Sequence, residues 1–166
     1  MEQRCVLIEL GNTTFGVPLR LLASVEPLTR IVPLPNVPPW LLGLTYRRGL
    51  VLSVIDLAAV LHRASQPIDS ATSRLLIVHD GAMQVAFATP TVSEVRVIAA
   101  EQVQPAPPAG SDPASRYVSG VVANGDAPFS LLDLGRLLRS PEFLTLAALP
   151  RGAFTGEHAL AAGPAG

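Results

Sequence analysis

The segments SVIDLAAVLHR (53–63) and SLLDLGRLLRS (130–140) each place one aspartate between two apolar runs. Two explanations fit this repeated pattern. Aspartate is a preferred helix N-cap, because its carboxylate accepts hydrogen bonds from the free N–H groups of the first turn. Alternatively, two aspartates from duplicated halves could form a catalytic dyad that shares one proton. The residues that follow the aspartates separate these explanations.

Leucine follows each aspartate, as Leu57 and as Leu134, so neither carboxylate has the neighbouring hydroxyl of an Asp-Thr-Gly or Asp-Ser-Gly motif. Short helical patterns, 57–61 and 134–138, come next in both cases. We therefore predict that Asp56 and Asp133 are structural N-caps at strand-to-helix junctions. A duplicated-aspartate hydrolase is kept as the alternative, and no catalytic residue is assigned.

The two segments belong to a longer internal repeat with a constant spacing of 77 residues. The matched pairs are Trp40 with Tyr117, Gly43 with Gly120, and Asp56 with Asp133. With small gaps the match extends upstream, where FGVPL (15–19) matches FATPT (87–91) and the proline loop 33–39 matches the loop 105–113. We predict two copies of one unit, each with a hairpin, an extended strand, a proline loop, a second hairpin and a short helix.

Short apolar runs separated by turn residues predict a mainly β protein. The predicted strands are 4–10, 13–19, 24–34, 42–47, 50–55, 73–80, 82–89, 92–98, 117–123 and 127–132. Gly11-Asn12 and Arg48-Gly49 are typical of tight hairpin turns. We expect one domain over residues 3–146, a helical pattern at 141–149, and a flexible tail over 150–166.

Composition excludes several classes of function. The net charge is −1, with 12 arginines and no lysine, which gives no field that would attract nucleic acid or anionic lipid. Cys5 is the only cysteine, so no intramolecular disulfide can form, and no apolar run is long enough to span a membrane. We expect a cytoplasmic protein that neither binds nucleic acid nor inserts into membranes.

The chain has no recognisable catalytic or metal-binding motif. His62, His79 and His158 lack metal-ligand spacing, and no Ser/His/Asp set or phosphate-binding loop is present. We expect no enzymatic activity, no metal and no cofactor, which leaves a binding module. The densest basic and aromatic cluster is Tyr46-Arg47-Arg48-Gly49. An arginine at such a turn is well placed to pair with a carboxylate, either Glu26 or one from a partner.

Taken together, these stretches resemble the CheW family, the coupling proteins of bacterial chemosensory arrays. In the first half the similar segments are FGVPL (15–19), PLPNVPPWLLGL (33–44), GLTYRRG (43–49) and LVLSVIDL (50–57). In the second half they are RLLIV (74–78), FATPTVSEV (87–95), YVSGV (117–121) and FSLLDLGRLL (129–138). The resemblance is collinear and covers about residues 3–146.

The resemblance implies a fold of two intertwined, five-stranded, SH3-like β-barrels with short connecting helices. It implies an adaptor without catalytic activity, which couples methyl-accepting chemoreceptors to the regulatory domain of a CheA-type histidine kinase. One barrel would pair with that kinase domain, and the groove between the barrels would receive the cytoplasmic tip of the receptor. Such an adaptor is expected in the cytoplasm, in receptor arrays at the inner face of the membrane.

The resemblance also implies partner-binding residues. Arg48 matches the arginine of the family's Arg-Gly turn, Gly43 matches the glycine before it, and Leu22 matches an apolar position near the receptor groove. We add Tyr46 and Arg47 to this predicted partner-binding set because they precede Arg48 in the basic and aromatic cluster, and Glu26 because it is a candidate carboxylate for that arginine.

Four departures from the family pattern suggest a divergent member. Tyr46-Arg47 replaces Asn-Leu, Ser53 replaces a proline, Thr89-Pro90 replaces a Val-Asp, and the acid of a V-x-E-V pattern is displaced to Glu26. The alternative function is therefore an accessory CheW-like scaffold in a pilus-linked or other chemosensory system, where it would bind only one of the two partners.

Overall fold

Eleven strands and two short helices are formed by the residues described in this computed structural model, which are 1–64, 66–69, 71–80, 83–123, 127–141 and 143. The strands are β1 (Glu2–Leu10), β2 (Thr13–Pro18), β3 (Leu22–Pro27), β4 (Leu41–Arg47), β5 (Leu50–Asp56), β6 (Arg74–Asp80), β7 (Met83–Thr89), β8 (Val92–Ala99), β9 (Val103–Pro105), β10 (Val118–Val122) and β11 (Phe129–Leu132). The helices are α1 (Leu57–Val60) and α2 (Leu134–Leu138). None of the described helices is long and apolar enough to cross a bilayer.

The two sheets exchange hairpins between the halves of the chain. One sheet has the order β8-β1-β2-β11-β10-β9 and the other has the order β3-β6-β7-β5-β4. The hairpin β1–β2 thus lies between strands of the second half, and β6–β7 lies between strands of the first half. Among the strand pairs that join the two halves, β2–β11 and β5–β7 run parallel, and β1–β8 and β3–β6 run antiparallel. The mainly β, intertwined fold implied by the resemblance is confirmed.

Each sheet bends so that its two edge strands come together. In the six-stranded sheet the edges β8 and β9 are consecutive in the chain, joined by the 3₁₀ turn Ala100–Gln102. In the five-stranded sheet the chain after β3 returns to β4, where Val32 and Leu44 exchange backbone hydrogen bonds of 2.7 and 2.8 Å. The predicted extended strand 24–34 is therefore interrupted: β3 ends at Pro27, and only Val32 pairs again. This curvature is that of small barrels.

The short strand β9 was not predicted. Its sequence, VQP, runs into the prolines of the following loop, and no local signal separates it from that loop. Pairing with β10 makes it a strand, which gives this sheet a sixth strand beyond the five implied by the resemblance.

Three apolar cores explain why the sequences of several strands are continuous apolar runs. Alternate residues of a strand point to opposite faces, and both faces are buried in the inner strands β1, β6 and β7. One face fills the inside of a barrel, and the other packs between the two sheets. The core of the six-stranded sheet contains Cys5, Leu7, Ile98, Val122, Phe129 and Leu131. The core of the five-stranded sheet contains Leu52, Val54, Leu75, Ile77, Ala86 and Ala88. The shared core between them includes Val6, Ile8, Phe15, Ile55, Leu76, Phe87 and the leucines of both helices.

Equivalent contacts lie 77 residues apart, which supports the proposed duplication. The Asp56 N–H donates to the Trp40 carbonyl, and the Asp133 N–H donates to the Tyr117 carbonyl, each at 2.8 Å. Gly43 and Gly120 both lie against the chain segment that closes their sheet, with no room for a side chain. The helical pattern predicted beyond Phe143 and the tail predicted over 150–166 lie outside the described residues.

Candidate functional site

The turn between β4 and β5 presents Arg48 to solvent. Arg48 and Gly49 both have positive φ, +50° and +81°, and they connect the paired residues Arg47 and Leu50. Two successive positive φ angles are typical of a type I′ hairpin turn, whose twist matches that of the strands. This geometry leaves the Arg48 side chain 81% exposed at the tip.

Glu26 is the carboxylate that the sequence analysis proposed for this arginine, and it lies on β3 with only 6% exposure. Its Oε2 forms an ion pair with the Arg47 guanidinium, although without regular hydrogen-bond geometry. Its Oε1 accepts a hydrogen bond from Ser24 Oγ at 3.1 Å and lies 3.5 Å from Arg48 Nη2. Arg47, with 19% side-chain exposure, is therefore the principal partner of Glu26. Arg48 contacts the same carboxylate while keeping most of its surface free.

These ion pairs join the two edge strands of the five-stranded sheet, because Glu26 lies on β3 and both arginines belong to the β4–β5 hairpin. Beside them, Thr45 Oγ1 donates to the Arg30 carbonyl at 2.8 Å and lies 2.6 Å from Thr29 Oγ1. Since Thr45 has only one hydroxyl proton, Thr29 is the donor in the second bond. The hairpin is thus held in place by side-chain contacts across the closure of the sheet.

Exposed apolar residues are neighbours of this ion pair in the chain or across the hairpin. Val25 is 38% exposed, Tyr46 42% and Leu50 50%. We call Val25, Tyr46, Arg48 and Leu50 the hairpin surface. Tyrosine and arginine are enriched at protein interfaces, and Val25 and Leu50 add exposed apolar area to this surface. Val25 and Leu50 were not predicted as site residues, because an apolar residue in a strand is usually a core residue. Their position near a charged turn was the available signal.

Gly43 and Leu22 lie apart from the hairpin surface. Gly43 is buried with φ +146°, and a Cβ atom there would lie 2.1 Å from the Val32 carbonyl oxygen. Gly43 can therefore influence a partner only through the position of β4. Leu22, at the start of β3, pairs with Val78 and packs partly buried against the shared core.

Both repeated aspartates lie at helix N-caps. Asp56 Oδ1 accepts from the Ala59 N–H at 3.3 Å, and Asp133 Oδ1 accepts from the Arg136 N–H at 3.0 Å. The two carboxylates follow strands of different sheets, and each binds its own helix. These contacts are those of separate caps, and nothing in them favours a shared catalytic proton.

Asp56 also offers a pH-dependent test of its role. Burial raises the pKa of the Asp56 carboxyl, against the opposing effect of hydrogen bonds from the Ala59 and Ala58 backbone. A raised folded-state pKa means that the folded protein binds the proton more tightly than the unfolded chain. Proton binding by Asp56 therefore adds to the stability of the folded protein at low pH. This contribution is lost as the pH rises through the folded-state pKa of Asp56.

We expect Asp56→Asn to become more stable relative to wild type as the pH rises from about 4 to 7, because asparagine caps without a charge. Urea denaturation at several pH values measures this difference. The control Asp56→Ala, which removes the cap, should be about 1 kcal/mol less stable than Asp56→Asn at every pH. A constant difference between wild type and Asp56→Asn would contradict the expectation.

Among the residues that the structure describes, no group of three or more His, Cys, Asp or Glu side chains is arranged to hold a metal ion.

Comparison with known proteins identifies the family. The family model described as the CheW-like domain matches residues 4–142. "Chemotaxis protein CheW" from Klebsiella aerogenes is 27% identical over 84% of this chain and 84% of its own length. "Protein FrzA" from Myxococcus xanthus is 32% identical over 84% of this chain and 87% of its own length.

A solved structure shows the same fold. It is the crystal structure of the scaffolding protein TtCheW from Thermoanaerobacter tengcongensis, which superposes with a TM-score of 0.75 at 22% identity, over 86% of this chain and 91% of that one. The collinear segments, the exchanged hairpins and the match over residues 4–142 lead to one conclusion. This chain belongs to the CheW-like domain family.

Proposed function

We propose that this protein is an adaptor without catalytic activity, which couples chemoreceptors to a CheA-type histidine kinase in a chemosensory array. Family membership supports this role, as does the similarity of the chain to a chemotaxis protein and to a scaffolding protein. The observation that carries the proposal is Arg48, an exposed cation among exposed apolar side chains on a hairpin fixed by the Glu26–Arg47 ion pair.

The hairpin surface is the proposed contact with the regulatory domain of the kinase. A rigid hairpin binds with a smaller loss of conformational entropy than a mobile loop does. Arg48 retains its charge and most of its exposure, so it can form an additional ion pair with a partner carboxylate. Tyr46 and Leu50 supply apolar area beside that charge.

Leu22 is the proposed contribution to the receptor site. It lies at the start of β3 and packs against the core that both sheets share, at the junction of the two halves. An adaptor that holds receptor and kinase at separate surfaces raises their effective concentration towards each other. Each contact then needs only micromolar affinity, about −8 kcal/mol. The adaptor would act in the cytoplasm, at the inner face of the membrane, with no cofactor.

The first test is a calorimetric titration with the regulatory domain of a CheA-type kinase from the same organism. Wild type should bind saturably in the micromolar range. We expect Arg48→Glu to weaken binding at least about tenfold, since it places a negative charge opposite the partner carboxylate. The free energy of unfolding should change little, because the Arg48 side chain is mostly exposed.

Arg116→Glu is the matched control, because it reverses another exposed arginine on the six-stranded half. It should bind the kinase domain as wild type does. Equal affinity of Arg48→Glu and wild type would exclude the hairpin surface as the kinase contact. If the kinase domain does not bind while a receptor-tip peptide does, the protein is the accessory scaffold that binds one partner.

A further inference from the structure

A pocket lies beside the six-stranded sheet, and none of its described lining residues belongs to the β4–β5 hairpin. It is a cavity of about 360 Å³ beneath the loop 106–112, beside the parallel strands β2 and β11. Phe15, Ala114 and Val118 supply apolar walls, and Pro107 and Pro108 contribute from the loop. Its volume lies within the range of small-ligand sites.

Arg63, just after α1, is the charged group of this pocket. Its guanidinium lies 5.6 Å from the centre of the Phe15 ring, in cation–π geometry. Its Nη2 donates to Asp112 Oδ2 at 2.7 Å, while its Nε is buried without a hydrogen-bond partner. A buried, unpaired donor on a charged group is unfavourable. The ion pair with Asp112 therefore leaves part of the hydrogen-bonding capacity of Arg63 unused.

Asp112 is also the point at which the loop is fastened to the first half of the chain. The remaining contacts of Asp112 are local, with Ala114 and Ser115. Within the described part of the chain, residues 106–111 form no hydrogen bond. The Asp112 side chain is 47% exposed, and ion pairs of such exposure contribute little stability. A competing carboxylate could replace Asp112 at a small cost.

We propose that this pocket binds an apolar group that carries a carboxylate, and that the ligand carboxylate takes the place of Asp112 on Arg63 and releases the loop. An arginine fork binds a carboxylate through two parallel hydrogen bonds, and Nε is the donor that Asp112 leaves unused. The apolar part of the ligand would lie against Phe15, Ala114 and Val118. The ligand is either a small free acid or the carboxyl terminus of a protein, since both present this chemistry.

The test is a titration of the ¹⁵N-labelled full chain with 3-phenylpropionate, followed through the amide resonances of Val118 and Ser130. Wild type should show saturable shifts at millimolar ligand. Asp112→Asn should bind about two to five times more tightly, because the competing carboxylate is gone. Arg63→Gln should bind at least about ten times more weakly, as should the neutral amide of the ligand with wild type.

Arg63→Lys keeps the charge without the planar guanidinium group. It replaces Arg63→Gln in the titration if Arg63→Gln does not fold. It should still bind more weakly than wild type. A peptide ending in phenylalanine with a free carboxyl terminus distinguishes the two sources: tighter binding than 3-phenylpropionate indicates a protein terminus, and weaker binding indicates a free acid. Any one of three results would overturn the proposal. The folded Arg63 variant could bind 3-phenylpropionate as tightly as wild type does, the neutral amide could bind wild type as tightly as the acid does, or Asp112→Asn could show no saturable shift.

Discussion

Replacing Gly43 with alanine should lower the free energy of unfolding by about 3 kcal/mol or more, the largest loss we expect from a single methyl group in this chain. The new Cβ would lie 2.1 Å from the Val32 carbonyl oxygen and 2.7 Å from the Val32 carbonyl carbon. Both are backbone atoms in the pairing that closes the five-stranded sheet, so rotation of a side chain cannot relieve the overlap. The φ of +146° adds strain for any residue with a Cβ atom.

Two other glycines provide matched controls. Gly49 also has positive φ but is surrounded by open space, so Gly49→Ala should cost only about 1 kcal/mol. At Gly120 the nearest atom to a new Cβ is the movable Val103 Cγ1, at 2.8 Å, which predicts an intermediate loss. Urea denaturation followed by circular dichroism measures all three variants. A loss for Gly43→Ala no greater than that for Gly49→Ala would show that Val32 and β4 separate easily.

Replacing Glu26 with glutamine should lower the free energy of unfolding by about 2 kcal/mol, because Arg47 would keep its charge in a mostly buried position without a counter-charge. Glu26 is 6% exposed and the Arg47 side chain 19%. The pair is therefore shielded from water more than a surface salt bridge is. Its loss should weaken the contact between β3 and the β4–β5 hairpin.

A double-mutant cycle with Glu26→Gln and Arg47→Met measures the coupling between the two side chains. Arg48→Met, combined with Glu26→Gln in a second cycle, is the control, because Arg48 is 81% exposed and 3.5 Å from the carboxylate. The first cycle should give the larger coupling. If the Arg48 cycle gives the larger value, Arg48 is the structural partner of Glu26 and Arg47 is the residue free to contact another protein.

Variants of Arg47 and Arg48 also distinguish effects on stability from effects on partner binding. Arg47→Met should reduce both stability and kinase binding, since it loosens the hairpin that carries Arg48. Arg48→Glu should reduce binding alone. Comparison of unfolding free energies with titration affinities for the two variants therefore tests whether the hairpin acts as a rigid support.

Much of the local structure could be read from the sequence. Apolar runs between turn residues located ten of the strands, because strand length and turn chemistry are local properties. The repeated aspartates predicted the starts of both short helices for the same reason. The strand β9 and the interruption after Pro27 could not be read in this way, because pairing with a distant strand decides both.

The sequence suggested which residues belong to the candidate site, but it did not show which of them pair. Arg47 and Arg48 both pair with Glu26, yet the sequence could not rank two adjacent arginines as partners of one acid. The register of the hairpin decides that ranking, since it directs Arg47 towards β3 and places Arg48 in the exposed turn. The ion pair between Arg63 and Asp112 joins residues 49 positions apart and had no local signal.

The sequence by itself determined the β-rich class, the repeat, the helix caps and the likeness to a family, because each rests on residue type and spacing along the chain. Only the tertiary structure decided that Gly43 makes room for the closing strand, that Glu26 is buried against Arg47, and that Arg48 remains exposed. These three features depend on how the edge strands of the five-stranded sheet approach each other. That approach is set by long-range packing, which cannot be read from residue type and spacing along the chain.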